Sequence, residues 1–204
     1  VNRPADRVAT RDVVLVALFA AIIVALGLIP PISVGFIAVP ITMQTLGVML
    51  AGAILGSVRG MLACALVALL TAAGLPVLSG GRGGLGVFAG PTAGYLVGWL
   101  PGALVTGAIA QLWAWRLTTR WLRVVVLFVA AVVGGIAVVY AVGIPWLSAN
   151  TGISLHKAFS SGMVFVPGDL IKAGIVALVA DGVLRSYSVL PARRKAVRPE
   201  PSAR

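Results

Sequence analysis

The sequence predicts an all-α integral membrane protein with six transmembrane helices and both termini in the cytoplasm. Three observations carry this. Six apolar stretches divide the chain, the basic residues fall almost entirely on alternate connections, and charge is scarce. Of 204 residues, 60% are hydrophobic and 10% charged, and the mean hydropathy is +1.07. A soluble domain carries about 25% charged residues, so an ordinary water-facing surface cannot be built here. In lipid each unpaired backbone group costs several kcal/mol, so the long apolar runs must be helices.

The spans follow in order. Residues 12–29 form the first, and a Pro-rich connection from Pro30 to Pro40 follows it. Residues 41–56 form a second, reaching only about 24 Å at about 1.5 Å per residue. Ser57-Val58-Arg59-Gly60 reads as a tight polar turn into the third, residues 60–74. A glycine-dense connection, Gly80 to Gly86, leads through Gly90-Pro91 to the fourth, about 92–114. The fifth covers about 124–147 and the sixth about 168–187. Residues 12–187 thus make one membrane domain, between a basic N-terminal arm (1–11) and a basic tail (188–204).

Charge orients this frame. Thirteen of the sixteen basic residues lie on one side: Arg3, Arg7, Arg11, Arg59, Arg116, Arg120, Arg123, Arg185, Arg193, Arg194, Lys195, Arg198 and Arg204. The opposite side has Arg82 and Lys157, while Lys172 lies within the sixth span. Positive charge is retained on the cytoplasmic side, which places both termini inside. Trp113, Trp115 and Trp121 then read as anchors at the inner interface and Trp146 at the outer one. Trp99 falls mid-span, suited to packing or to a ligand.

Several classes are excluded. A net charge of +11 in a soluble protein would suggest nucleic acid, but here the cations flank apolar spans, where anionic lipid and topology explain them. Cys64 is the only cysteine, so an intrachain disulfide and a cysteine metal site are ruled out. The first apolar run has no obvious small-residue cleavage site after it and reads as a span. His-Glu-x-x-His, Gly-x-Ser-x-Gly and an ATP loop are all missing, which argues against an enzyme and for a separate source of energy. His156 stands alone in an external connection and reads as a surface residue.

Small residues mark helix seams. Gly90, Gly94, Gly98 and Gly102 recur every four residues, Gly52 and Gly56 repeat the spacing, and Ala17, Ala21 and Ala25 stripe the first span. Packing within the chain is the ordinary use of such stripes. The first-span stripe could instead receive another protein.

Asp169 and Lys172 are the sharpest feature. Pro167 suits a first helical turn, the aspartate follows where the helix dipole favours an anion, and the lysine three residues on shares its face. Such a pair can be a capped helix end. A charge at this depth must also face protein or a polar cavity, and a small polar ligand needs a donor beside an acceptor. Thr42, Gln44, Arg82, Thr92 and Tyr95 cluster on the same outer side. Asp181 lies four residues before Arg185 and reads as an interfacial ion pair.

Three ordered blocks carry a family resemblance. Val39-Pro40-Ile41-Thr42-Met43-Gln44-Thr45-Leu46-Gly47-Val48 is similar to a signature of the BioY family. So are Ala73 to Gly86 with Gly90-Pro91-Thr92-Ala93-Gly94-Tyr95-Leu96, and Phe165-Val166-Pro167-Gly168-Asp169-Leu170-Ile171-Lys172. Members are biotin-specific substrate-binding (S) components of energy-coupling-factor (ECF) transporters. The resemblance implies the S-component fold, with an outward pocket closed by the connection between the first two helices. It implies a prokaryotic cell membrane and uptake of biotin as substrate, with no cofactor bound by this chain. It also implies two kinds of partner, a transmembrane coupling protein and two cytoplasmic ATPases, and a first-helix stripe that meets the coupling protein, matched by Ala17, Ala21 and Ala25. Membrane lipid is the remaining partner, and nucleic acid is none.

Biotin's chemistry suits the residues. Asp169 can accept from ureido nitrogens, Lys172 can donate to the ureido oxygen or the carboxylate, and Gln44 can do either. Thr42, Arg82 and Gly84 add polar and backbone groups, while Phe36, Leu85 and Tyr95 can wall the bicyclic body. Position 93 is alanine where the family often has glycine, and Arg82 occupies a position that varies. An S component for thiamin or riboflavin, or a membrane-embedded enzyme, are the competing readings.

Overall fold

The computed structural model describes residues 5–32 and 39–186, with side chains from Thr10 onward. Phe36, the first four residues and the basic tail lie outside the described residues. Helix α1 runs Ala5–Gly27, α2 Gln44–Leu55, α3 Ser57–Ala72 and α4 Ala93–Leu112. Helix α5 (Arg120–Ala130) passes through a wider π-helical turn (Ala131–Val138) into α6 (Val139–Thr151) without a break. Helix α7 covers Leu155–Met163 and α8 Val166–Ser186. Among the described residues there is no strand, only two isolated backbone bridges.

Among the described residues, three helices are long and apolar enough to cross a membrane: Thr10–Gly27, Ala93–Arg116 and the 32-residue Arg120–Thr151. Helices α7 and α8 pass the same test only as a pair, bent by 51°. The expected second and third spans are shorter apolar helices of 12 and 16 residues. Helix α1 begins at Ala5, so residues 5–11 of the expected arm belong to it. The α7 helix was not legible as a separate element, because its Ser, His, Lys and Gly residues interrupt any apolar run.

The turn between α2 and α3 is one residue, not the expected four. Gly56 adopts φ +88°, which L side chains rarely take, and Ser57 already opens α3. Such a tight junction leaves no room on the facing helix. Gly107 of α4 abuts the Gly56–Ser57 backbone, and Gly60 lies against Gly52 across the junction. The Ser57 hydroxyl and amide both donate to Gln111 Oε1, at 2.8 and 3.1 Å, and Trp115 donates its indole N–H to the Ala53 carbonyl at 3.2 Å. Trp115 therefore ties α2 to the chain following α4, whereas Trp113 and Trp121 are exposed as interfacial anchors should be.

The glycine stripe of α4 is used internally. Gly94 lies against Trp146, Gly98 against Val139, and Gly102 against Val139 and Gly134. The helix pair α4–α6 can approach this closely only because no Cβ intervenes. The π-helical turn falls where Gly134 presses on Thr106 and Gly135 on Met49. Helix α1 packs on α2 and α3, with Phe19, Ala20 and Ile23 buried. Its Ala17, Ala21 and Ala25 are exposed on the opposite side.

Candidate functional site

The start of α8 places Asp169 and Lys172 one turn apart on its buried face. Their side chains form an ion pair of 2.8 Å, and each is about 6% exposed. Burying two charges is costly unless every remaining donor and acceptor is met. That condition is largely satisfied here. Lys172 Nζ donates to Asp169 Oδ1, to the Thr42 carbonyl at 2.7 Å and to Thr45 Oγ1 at 2.9 Å, which uses all three of its protons. Asp169 Oδ2 accepts from the Tyr140 hydroxyl at 2.6 Å, and the Thr45 hydroxyl lies 3.4 Å from Oδ1. A carboxylate has about four acceptor positions, so Asp169 keeps room for one further donor. Lys172 can reach a ligand only by releasing one of its present acceptors.

Around this network is a cavity walled by apolar groups. Leu78, Leu96, Trp99, Val139 and Phe165 supply the apolar lining; Thr42, Arg82, Thr92, Tyr95 and Tyr140 supply polar atoms beside the ion pair. Tyr95 meets Tyr140 edge to face, with ring centroids 6.0 Å apart. Its hydroxyl is buried with no hydrogen-bond partner among the described residues. A buried hydroxyl left unpaired costs about 1–3 kcal/mol, so a ligand atom bonded to it would recover that cost.

Other expected site residues separate into those that line the cavity and those that do not. Gln44 lies at its wall, but its amide is engaged elsewhere. Nε2 donates to the Ile23 and Val77 carbonyls at 3.2 and 3.1 Å, and Oε1 accepts from Ser79 N–H at 2.9 Å. In this arrangement Gln44 joins α1, α2 and the connection after α3, and it has no donor left to offer. Arg82 lines the cavity, its Nε held by the Ser79 carbonyl and its Nη1 by Thr92 Oγ1, both at 3.2 Å. That connection is pinned by paired Leu78 and Arg82 backbone bonds around Gly80 and Gly81, both at positive φ.

Gly84 and Leu85 do not fit the expected pocket wall. Gly84 turns the chain at φ +87° and donates its N–H to the Thr71 carbonyl, while the Leu85 side chain is 73% exposed at the start of a short 3-10 turn. Neither lines the cavity. The glycines before Leu85 reverse the chain, so its side chain leaves the bundle instead of entering it.

Two members of the polar network were missed in the sequence. Tyr140 is the one hydroxyl side chain in the run 124–147, a signal that could have found it. Thr45 follows Gln44 directly and gave no such signal. The expected pair of Asp181 with Arg185 forms at 3.4 Å, but it is not the main one: Asp181 is buried, and its shortest partner is Arg123 at 2.6 Å, with Arg120 at 3.3 Å.

A model of the BioY family matches residues 2–189 of the chain. A protein of Rhizobium etli named biotin transporter BioY is 56% identical over 184 residues, covering 90% of this chain and 98% of the relative. A biotin transporter BioY of Rhodobacter capsulatus is 54% identical, covering 83% and 91%. Among solved structures, the crystal structure of the S-component for biotin from an ECF-type ABC transporter superposes with a TM-score of 0.80. Identity is 32%, over 92% of this chain and 96% of that one.

Proposed function

Since this chain belongs to the BioY family, we propose that it is a membrane protein of biotin uptake, binding biotin in the Asp169–Lys172 cavity and passing it inward. It is a transporter component and not an enzyme. The observation that carries the site is the buried ion pair set among apolar walls, with one acceptor position and the Tyr95 hydroxyl open. Biotin presents two ureido N–H donors, a ureido carbonyl, an apolar bicyclic body and a carboxylate. One ureido N–H would fill the open acceptor site of Asp169, and the Tyr95 hydroxyl would donate to a biotin oxygen. Trp99, Leu96 and Phe165 would cover the ring system. Arg82, which lines the cavity, would attract the carboxylate.

The chain crosses the prokaryotic plasma membrane six times in this reading, with both ends cytoplasmic. Helices α2 and α3 are short for a bilayer, which local thinning and neighbouring helices can accommodate. In this reading a coupling protein and two ATPases, the partners that the family implies, supply the energy for transport. The exposed Ala17, Ala21 and Ala25 face suits the coupling protein, since small residues let a second helix approach closely.

Equilibrium binding of biotin to the detergent-purified chain tests the first part, with thiamin and riboflavin as controls. Saturable binding of biotin alone is expected. No binding by a folded, monodisperse sample would refute the assignment. Ala21→Trp should leave biotin affinity unchanged and abolish co-purification with the coupling protein. Intact assembly of that variant would place the partner on another face.

A further inference from the structure

We propose that Arg120 and Arg185, splayed around Asp181 at the end of the bundle remote from the biotin pocket, form a binding site for the phosphate headgroup of an anionic phospholipid. The observation is an imbalance of charge. Asp181 is 3% exposed and receives three guanidiniums, so the cluster has two positive charges in excess. Two of the three, Arg120 and Arg123, stand in the first turn of α5, the positive end of a continuous 32-residue helix. Cations are disfavoured there by the helix dipole, which adds to the local demand for an anion. Among the described residues no other carboxylate meets these arginines.

The three arginines differ in what they leave free. Arg123 is buried, with Nε on Asp181 and Nη1 on the Leu117 carbonyl, and it serves to anchor the carboxylate. Arg120 and Arg185 turn their Nε toward Asp181 and are 65% and 46% exposed. Their terminal nitrogens are therefore available as planar forks, the geometry that suits phosphate oxygens. Asp181 fixes where the forks point and so reduces the entropy lost on binding.

Lipid is favoured over a soluble anion by what surrounds the forks. The exposed Trp121 side chain follows Arg120 directly, and exposed Trp113 closes the preceding helix. Tryptophans at a helix end mark headgroup depth. In the proposed topology this end meets the inner leaflet, where anionic lipid is concentrated. The cluster is built on α5 and α8, whereas the alanine stripe is on α1, which packs on α2 and α3. A coupling protein on that stripe leaves the arginines to the bilayer.

Native mass spectrometry of the full-length chain tests this, after exchange into detergent containing either phosphatidylglycerol or phosphatidylcholine. Phosphatidylglycerol should be retained preferentially, and Arg120→Gln or Arg185→Gln should each reduce that preference about fivefold. Biotin affinity should stay the same in both variants, which confirms their fold. Equal retention of the two lipids, or an unchanged preference in the Arg120→Gln/Arg185→Gln double variant, would overturn the proposal. Displacement of lipid by an equal concentration of inorganic phosphate would reassign the site to a soluble anion. Unchanged lipid retention with lost binding to the coupling protein would assign the forks to a protein carboxylate instead.

Discussion

Lys172→Met is expected to abolish high-affinity biotin binding and to destabilise the fold by about 3–5 kcal/mol. The ammonium holds Asp169, Thr45 and the Thr42 carbonyl together at 2.7–2.9 Å. Without it a buried carboxylate keeps only the Tyr140 hydroxyl and the long Thr45 contact as partners, and it must draw in water or turn to another donor. Either response spoils Asp169 as an acceptor for a ureido N–H. A hydrogen bond to a charged group contributes about 1.5–3 kcal/mol, so a loss of at least about tenfold in affinity follows from that contact alone. The double variant Asp169→Leu/Lys172→Met separates the two effects. Removing both charges should restore much of the thermal stability and none of the binding. Isothermal titration and thermal unfolding in detergent read both quantities. Wild-type affinity in a stable double variant would remove the pair from the ligand site.

Gly107→Ala should lower stability toward the upper end of the roughly 1–3 kcal/mol typical of overpacking. An added Cβ would meet the Gly56 carbonyl carbon and the Ser57 amide, with Ser57 Cα 2.6 Å away. All three are backbone atoms, so no rotamer change relieves the clash. Helix α4 would have to move off the α2–α3 junction, stretching the Ser57–Gln111 and Trp115–Ala53 bonds. Tyr95 and Trp99 lie on the same helix, so weaker biotin binding should accompany the loss. Gly174→Ala in α8 is the control: a Cβ there meets nothing within 4 Å, and replacing a helical glycine should be neutral or stabilising. Equal unfolding temperatures for the two variants would mean that the junction yields more easily than its geometry implies.

The sites that were legible in the sequence share a physical character. Asp169 and Lys172 could be recognised because a charge inside an apolar helix is expensive anywhere in the chain, and their spacing of three sets them on one face. Thr42, Arg82 and Tyr95 could be placed near them from the side of the membrane on which each connection lies. Side-chain direction could not be read this way. The position of Gln44 at the head of the second span points it at the ligand, yet its amide bonds chain segments 21 and 33 residues away. An apolar Leu85 beside the glycine-rich connection suits the pocket wall, yet the positive-φ glycine before it turns the side chain outward. Tyr140 was visible as a lone hydroxyl in the fifth apolar run but had no nearby partner to suggest a role.

The sequence by itself determined the membrane class, the helical content and the polar pair at the head of the last helix. Hydropathy, glycine spacing and a three-residue offset are local properties that hold whatever the helices pack against. Tertiary structure alone decided that Thr45 and Tyr140 complete the ion pair, and that Asp181 gathers arginines 58 and 61 residues away in addition to the one four residues on. Those contacts depend on how α8 packs against α2, α5 and the π-helical turn before α6. How two helices cross has no signature in any single stretch of chain.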